Sequence, residues 1–375
     1  MTLANATTGR TLAQTSVDLI ANLQHSSGAY PASPDFSAYA GYCWFRDGAF
    51  IADGMSAANQ IESSNRFFDW CSGILTRYQG TVDEIVDRAR SERPVEGENM
   101  MPTRFRFDGA IGEEDWGNFQ LDGYGTWVWA VVEHAKRHDL TLDRWGAGIV
   151  ASCRYLASSW ERPCWDWWEE HPENIHVSTL GCIGAGLVAG IESGLLDDQL
   201  SAQCADAIAG IRTLIEERGT HDGHLIKWLG STEVDSSTLA IIAPLGFIDP
   251  SSPLAVNTVE AVRRDLEVAG GLYRFTADTF FGGGRWPLLS CFLGLCLARA
   301  GDAAGARTIL DWAASTADAS GQLPEQVSDL LLHPTGKALW TDKWGPVAKP
   351  LLWSHAMYLR LDAELDSTIS PEVNR

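Results

Sequence analysis

The apolar positions of this chain recur with the spacing of helices far more often than with that of strands. In residues 11–25, Leu12, Leu19, Ile20 and Leu23 fall on one helical face. In 252–268, Ser252 stands where an N-cap is favoured and Pro253 suits a first turn. Leu254, Val256, Val259, Val262 and Leu266 then supply the apolar side, and Gly270 is placed to end the helix. The same signals predict twelve helices, over 11–26, 47–60, 63–78, 122–137, 142–159, 177–193, 198–217, 233–243, 252–268, 286–300, 302–317 and 349–364. Residues 80–121 and 318–348 are the longest stretches without a clear helical pattern, and long irregular connections in a compact protein are often functional.

No sustained βαβ alternation is present, and no Gly-rich phosphate loop follows a strand. The run Gly282-Gly283-Gly284 reads as a turn before a helix. The pattern predicts an all-α fold, a single domain over 1–375 with six helical hairpins closed into a toroid, the (α/α)6 barrel. An open helical array is the alternative. The inner helices are expected to be the more apolar and small-residue-rich ones. Helix 177–193 carries Gly181, Gly184, Gly186 and Gly190. Glycine weakens a helix, so four in one helix predict close packing.

Composition narrows the partners. The chain has 375 residues, 45% of them apolar, enough for a large core. Its 28 basic and 49 acidic residues give a formal charge of -21, which repels nucleic acid and anionic membranes but leaves a neutral ligand unaffected. No apolar run is long enough to span a membrane. The N-terminal MTLANATTGRTLAQTS has no apolar core of a secretory signal, so a cytoplasmic protein is expected. The eight cysteines form no CxxC pair, and Cys182, Cys291 and Cys296 sit inside apolar runs. They are expected to be buried free thiols, with no disulfide framework, metal site or cofactor.

Candidate chemistry concentrates between helices. Trp165-Asp166-Trp167-Trp168-Glu169-Glu170 sets two carboxylates beside three indoles. Indoles offer stacking platforms for sugar rings and dry a site. Desolvation and a neighbouring negative charge both raise a carboxyl pKa, which suits a general acid. A second carboxyl elsewhere would complete the pair that glycoside hydrolysis needs. Four further polar–aromatic segments stand before helices: Trp44-Phe45-Arg46-Asp47, Trp116 to Asp122, Arg274 to Trp286, and Leu323-Pro324-Glu325-Gln326. In a toroid of alternating outer and inner helices, all five segments precede inner ones and converge on one rim. Taken singly each has a plainer reading: Arg46-Asp47 as a capped ion pair, Gln120 and Asp122 as caps, Glu325 as a solvated carboxylate, Arg274 as a surface charge and His355 as a packing residue.

Together these segments resemble glycoside hydrolase family 15, the glucoamylase type. The matching pieces are WFRD at 44–47, WGNFQLD at 116–122, DWWEE at 166–170, RFTADTFFGGGRW at 274–286, LPEQ at 323–326 and LLWSHA at 351–356. The compact form resembles the bacterial isomaltose glucohydrolase branch. The resemblance implies an (α/α)6 barrel and an inverting exo-glucosidase that acts on short oligosaccharides without metal or cofactor. It implies that Glu169 is the general acid and Glu325 the general base. Arg46 and Asp47 would hold the terminal glucose, and Trp116, Gln120 and Asp122 complete their motif near the acid. Arg274 and Glu170 would meet the next sugar. Trp44, Trp168 and Trp353, the indoles of three of the motifs, join the predicted substrate contacts.

The family's water-positioning tyrosine matches either Tyr39 or Tyr42. Glucoamylases carry an asparagine where this chain has Gly282-Gly283-Gly284, so linkage preference stays open. A trehalase, a glycosidase for another linkage, a phosphorylase and a non-catalytic sugar-binding barrel are the rival readings. The last two fit poorly with a pair of carboxylates.

Overall fold

A computed structural model describes residues 11–369. The expectation of a leaderless N-terminus concerns residues 1–10 in part, which lie outside the described residues. Among the described residues there are fourteen α-helices. Six of them form a closed inner ring: α2 (Phe45–Ala57), α5 (Asp122–His138), α7 (Val177–Glu192), α9 (Thr238–Ile242), α11 (Pro287–Arg299) and α14 (Leu352–Ile369). Each packs on the next, and α14 packs back on α2. Outside them stand α1 (Leu12–Leu23), α3 (Ile61–Arg77), α6 (Gly146–Ser159), α8 (Asp198–Arg218), α10 (Pro253–Leu266) and α12 (Ala303–Ser315). This is the (α/α)6 barrel.

Burial explains the two layers. In α11, every residue from Pro287 to Ala298 is buried, and α2, α5 and α7 are nearly as enclosed. The outer helices are less enclosed; in α10 the buried residues form one stripe, Ala255, Thr258, Ala261, Val262 and Leu266. The glycines of α7 do bring a neighbour close. A Cβ on Gly186 would lie 2.5 Å from the Gly125 carbonyl oxygen of α5, so the two backbones touch where any side chain would part them. Ser252 caps α10 by accepting the Ala255 N–H at 3.2 Å. Gly270, expected to end that helix, instead turns a short hairpin, Glu267–Val268 with Gly271–Leu272, at φ +84°.

Some predicted boundaries change. Residues 142–145 are not α-helical; a 3-10 turn at Asp143–Trp145 leads into α6. The helix expected over 233–243 shrinks to five residues, because Asp235 and Ser236 turn their bonds elsewhere: Asp235 to Lys227, Ser237 and Trp168, Ser236 to the Tyr273 carbonyl. Two further helices fill the stretches expected to be irregular, α4 (Gln79–Arg90) and α13 (Gly336–Trp344).

All eight cysteines are buried and unpaired. No helix among the described residues is long and apolar enough to cross a membrane.

Candidate active site

Five of the six connections that lead from the outer layer to an inner helix meet on one rim, and together they line a cavity of about 620 Å³. Residues from all five predicted segments line it.

Residues 165–170, ahead of α7, form a tight turn around Asp166. Its Oδ1 accepts the Trp168 N–H at 2.9 Å and the Glu170 N–H at 2.8 Å, and the Asp166 N–H reaches the Glu170 carbonyl at 3.1 Å. The turn holds Glu169 at φ +61°, left-handed backbone that costs a residue with a Cβ about 1 kcal/mol or more and tends to occur at functional sites. Behind it, Lys227 sits with its Nζ 2.5 Å from Asp235 Oδ2 and 3.3 Å from Asp166 Oδ2, all three side chains buried. The Trp168 indole N–H donates to Asp235 at 2.9 Å.

Glu169 faces the cavity and is half-buried. Its Oε1 accepts the Trp44 indole N–H at 2.8 Å and the Gln120 amide at 3.0 Å. Both donors converge on one oxygen, Oε1.

Glu325, only 2% exposed, arrives from the loop before α14. Its N–H bonds the Ala348 carbonyl, and its Oε1 accepts the Tyr39 hydroxyl at 2.8 Å. Burial pushes its carboxyl up to about 8, against the Tyr39 hydrogen bond and the charge of Arg274, which pull it down. Burial and the adjoining Glu325 also hold the Tyr39 phenol well above its ordinary value, so Tyr39 is the donor. Of the two candidate tyrosines, Tyr39 is the one that touches Glu325, the expected base. Tyr42 instead donates to Glu114 at the cavity mouth.

The loop carrying Glu325 is held by α14 just ahead of that residue. The Leu323 N–H donates to His355 Nε2 at 2.9 Å, and the Ser354 hydroxyl donates to the Pro324 carbonyl at 2.8 Å. An accepting Nε2 requires neutral His355 with its proton on Nδ1, where it meets Ser16 Oγ at 2.8 Å. Burial suits this, lowering the imidazole to about 4.

At the cavity floor, Arg46 and Asp47 lie in the first turn of α2. The Arg46 guanidinium donates to Gln120 at 2.6 Å, Asp122 at 2.9 Å and the Trp167 carbonyl at 3.1 Å. Asp47 is raised to about 7, by burial first, with Arg46 opposing and Glu169 adding to the rise. Trp353 stacks on Phe50 at 5.3 Å and lines the floor beside Arg46. Gln120 and Asp122, expected to contact substrate, are fully buried behind the wall and do not line the cavity. They orient Arg46 and, in the case of Gln120, Glu169.

Toward the mouth, Arg274 lies over Trp168 at 5.0 Å and pairs with Asp278, and its Nη2 is 3.5 Å from Glu170. Trp116 forms the facing wall, meeting Trp44 at 6.0 Å. Sequence reasoning missed Arg104, which is 3% exposed and stacked between Tyr42 at 4.0 Å and Trp116 at 4.2 Å. It reaches the site through the pairing of Tyr42–Trp44 with Arg104–Arg106, strands too short to leave a periodic signal.

This fold and this ring of carboxylates, indoles and guanidinium groups define a carbohydrate-cleaving barrel, and the relatives agree. The family model described as Glycosyl hydrolases family 15 matches residues 9–341. The chain is 51% identical over 355 residues to the isomaltose glucohydrolase of Kribbella flavida, covering 94% of this chain and 92% of that one. A glycosidase variant solved in complex with glucose superposes with a TM-score of 0.92 at 50% identity, covering 95% of this chain and 96% of the other. A bacterial glucoamylase complexed with acarbose shares the fold at a TM-score of 0.74 and 19% identity, covering 96% of this chain and 56% of that one. The chain belongs to glycosyl hydrolase family 15 and is a glycoside hydrolase.

Proposed function

We propose that this protein is an inverting, exo-acting α-glucosidase that frees β-glucose from the non-reducing end of short α-1,6-linked oligosaccharides such as isomaltose. One observation carries the reading. Two cavity carboxyls, Glu169 and Glu325, come from different loops, and each has its own hydrogen-bond donors.

Glu169 donates its proton to the glycosidic oxygen as the bond to C1 breaks. Glu325 takes a proton from a water whose oxygen bonds C1 from the opposite face, so the anomeric configuration inverts. A base works best with a pKa near the working pH, and a carboxylate raised to about 8 is stronger once ionised. Arg46 and Asp47 close the cavity floor, which favours terminal glucose and blocks a chain from threading through. Charged groups make the stronger hydrogen bonds to hydroxyls. The α-1,6 linkage is supported by the 51% identity to an isomaltose glucohydrolase.

The test is a panel of isomaltose, maltose, nigerose, kojibiose and trehalose, with the first product anomer read by NMR. Isomaltose is expected to be cleaved fastest and to give β-glucose. α-Glucose as first product would remove the inverting mechanism, and faster cleavage of another disaccharide would remove the linkage. Glu169→Gln and Glu325→Gln should each nearly abolish release while leaving sugar binding in place.

A further inference from the structure

Helix α13 belongs to neither layer of the barrel, and its placement is the least explained feature of the rim. It buries none of its residues, and Leu339 is 74% exposed. Yet Trp340, Lys343 and Trp344 line the same cavity as the two carboxyls. Trp340 and Trp344 are one turn apart and share a face. The ammonium of Lys343 lies 5.5 Å from the first ring and 4.7 Å from the second, and it makes no ion pair among the described residues.

The helix is fixed at both ends. Ahead of it, the Leu332 and His333 N–H groups donate to the Gly283 and Gly282 carbonyls at 3.1 and 2.8 Å. After it, the Ser37 hydroxyl donates to the Trp344 carbonyl at 3.3 Å, on the loop that also carries Tyr39. The triple glycine is what allows this approach. Gly283 has φ +69°, and a Cβ there would lie 2.3 Å from the Asp278 carbonyl oxygen and 3.2 Å from Leu332. The triple glycine thus sets how the segment before α13 meets the rim.

An aromatic wall connects α13 to the reaction centre. Trp168 meets Trp286 at 5.6 Å, Trp286 meets Phe280 at 6.3 Å, and Phe280 meets Trp340 at 5.0 Å. Among the cavity residues, Arg46 at the floor is buried, Glu170 is half-buried and Lys343 is exposed. Glucose held at the floor leaves the rest of the substrate pointing outward along this wall.

The geometry points to α13 as a separate sugar-binding subsite, one that takes the glucopyranose beyond the leaving-group sugar of a trisaccharide. Trp344 and Trp340 offer their rings to the apolar C–H face of the sugar, and Lys343 donates to its hydroxyls. The assignment rests on the reaction proposed above.

Its test compares an α-1,6-linked glucose disaccharide with the trisaccharide. Removing one aromatic contact predicts that Trp344→Ala lowers kcat/KM for the trisaccharide by about two- to tenfold through KM, with the disaccharide changed by less than about twofold. Trp344→Phe should recover part of the loss. Lys343→Met should repeat the trisaccharide-selective pattern without removing a ring, and Leu339→Ala, on the same helix, should change neither substrate. Equal losses on both sugars would reduce α13 to a structural part, and no loss on either would remove the subsite. In both cases the reaction proposal stands. A wild-type protein that frees no glucose from either sugar would overturn the reaction and the subsite together.

Discussion

Tyr39 and Trp44 meet edge to face with ring centroids 5.5 Å apart, and each gives its hydrogen bond to a different carboxyl of the pair: Tyr39 to Glu325, Trp44 to Glu169. The two acids are thus spaced by a pair of packed rings and have no hydrogen bond with each other. Inversion requires a carboxyl pair far enough apart to admit a water beside the sugar ring.

Tyr39→Phe keeps the ring and removes the donor. Because that bond favours the ionised form of Glu325, its loss moves the carboxyl further up from about 8. Activity that needs ionised Glu325 should then start at higher pH, and turnover near neutrality should fall by about 10- to 100-fold, the worth of one hydrogen bond to a charge. A pH–rate profile checks this. An acid limb that stays in place or moves down would contradict it.

Glu325→Gln should stabilise the protein while inactivating it. The folded state holds the Glu325 proton more tightly than the unfolded chain does. The group therefore adds no penalty below about 4.5 and an increasing one up to about 8, where the fold must bury a charge. The variant's advantage should be small at pH 4.5 and reach a few kcal/mol at pH 8, as an order of magnitude. Thermal melts across that range measure it, and parallel curves for the two proteins would refute it.

Lys227→Met should do the reverse. It leaves Asp166 and Asp235 buried together without their cation, a change that costs about 3–5 kcal/mol in comparable sites. It also frees the turn that keeps Glu169 left-handed. Chemical denaturation and glucose release should both deteriorate, and an unchanged midpoint would show that the triad contributes little.

His355→Leu removes the acceptor for the Leu323 N–H, two residues before Glu325. Turnover should drop about tenfold or more with little change in KM, because the cavity walls stay and only the base moves. His355→Gln, which can still accept a hydrogen bond, should retain more activity than Leu. Equal activities would mean that the loop does not depend on this bond.

Much of this was legible in the chain, and the exceptions have physical causes. The inner helices announce themselves because burial on every side demands apolar residues throughout. Helix α4 buries Val82, Ile85 and Val86 at helical spacing, but the charged residues around them thin the signal. Helix α13 buries nothing, so it has no apolar face for a periodicity to display. At the site, Arg46, Asp47 and Glu169 stand in aromatic-rich runs that mark them. Glu325 has no such neighbours. What encloses it includes Tyr39, 286 residues away, and only its loop's place in the helix order and its match to the family motif single it out. Arg104 had neither kind of signal.

The ring order gives the catalytic pair a property that neither loop has alone. Glu169 precedes α7 and Glu325 precedes α14, and in the sequence α2, α5, α7, α9, α11, α14 these helices stand three places apart, across the ring from one another. The two carboxyls therefore reach one cavity from opposite sides of the ring. No single hairpin carries both of them. Stereochemistry in this protein is written into circumference: a fragment with both glutamates but an open ring would keep the residues and lose the reaction.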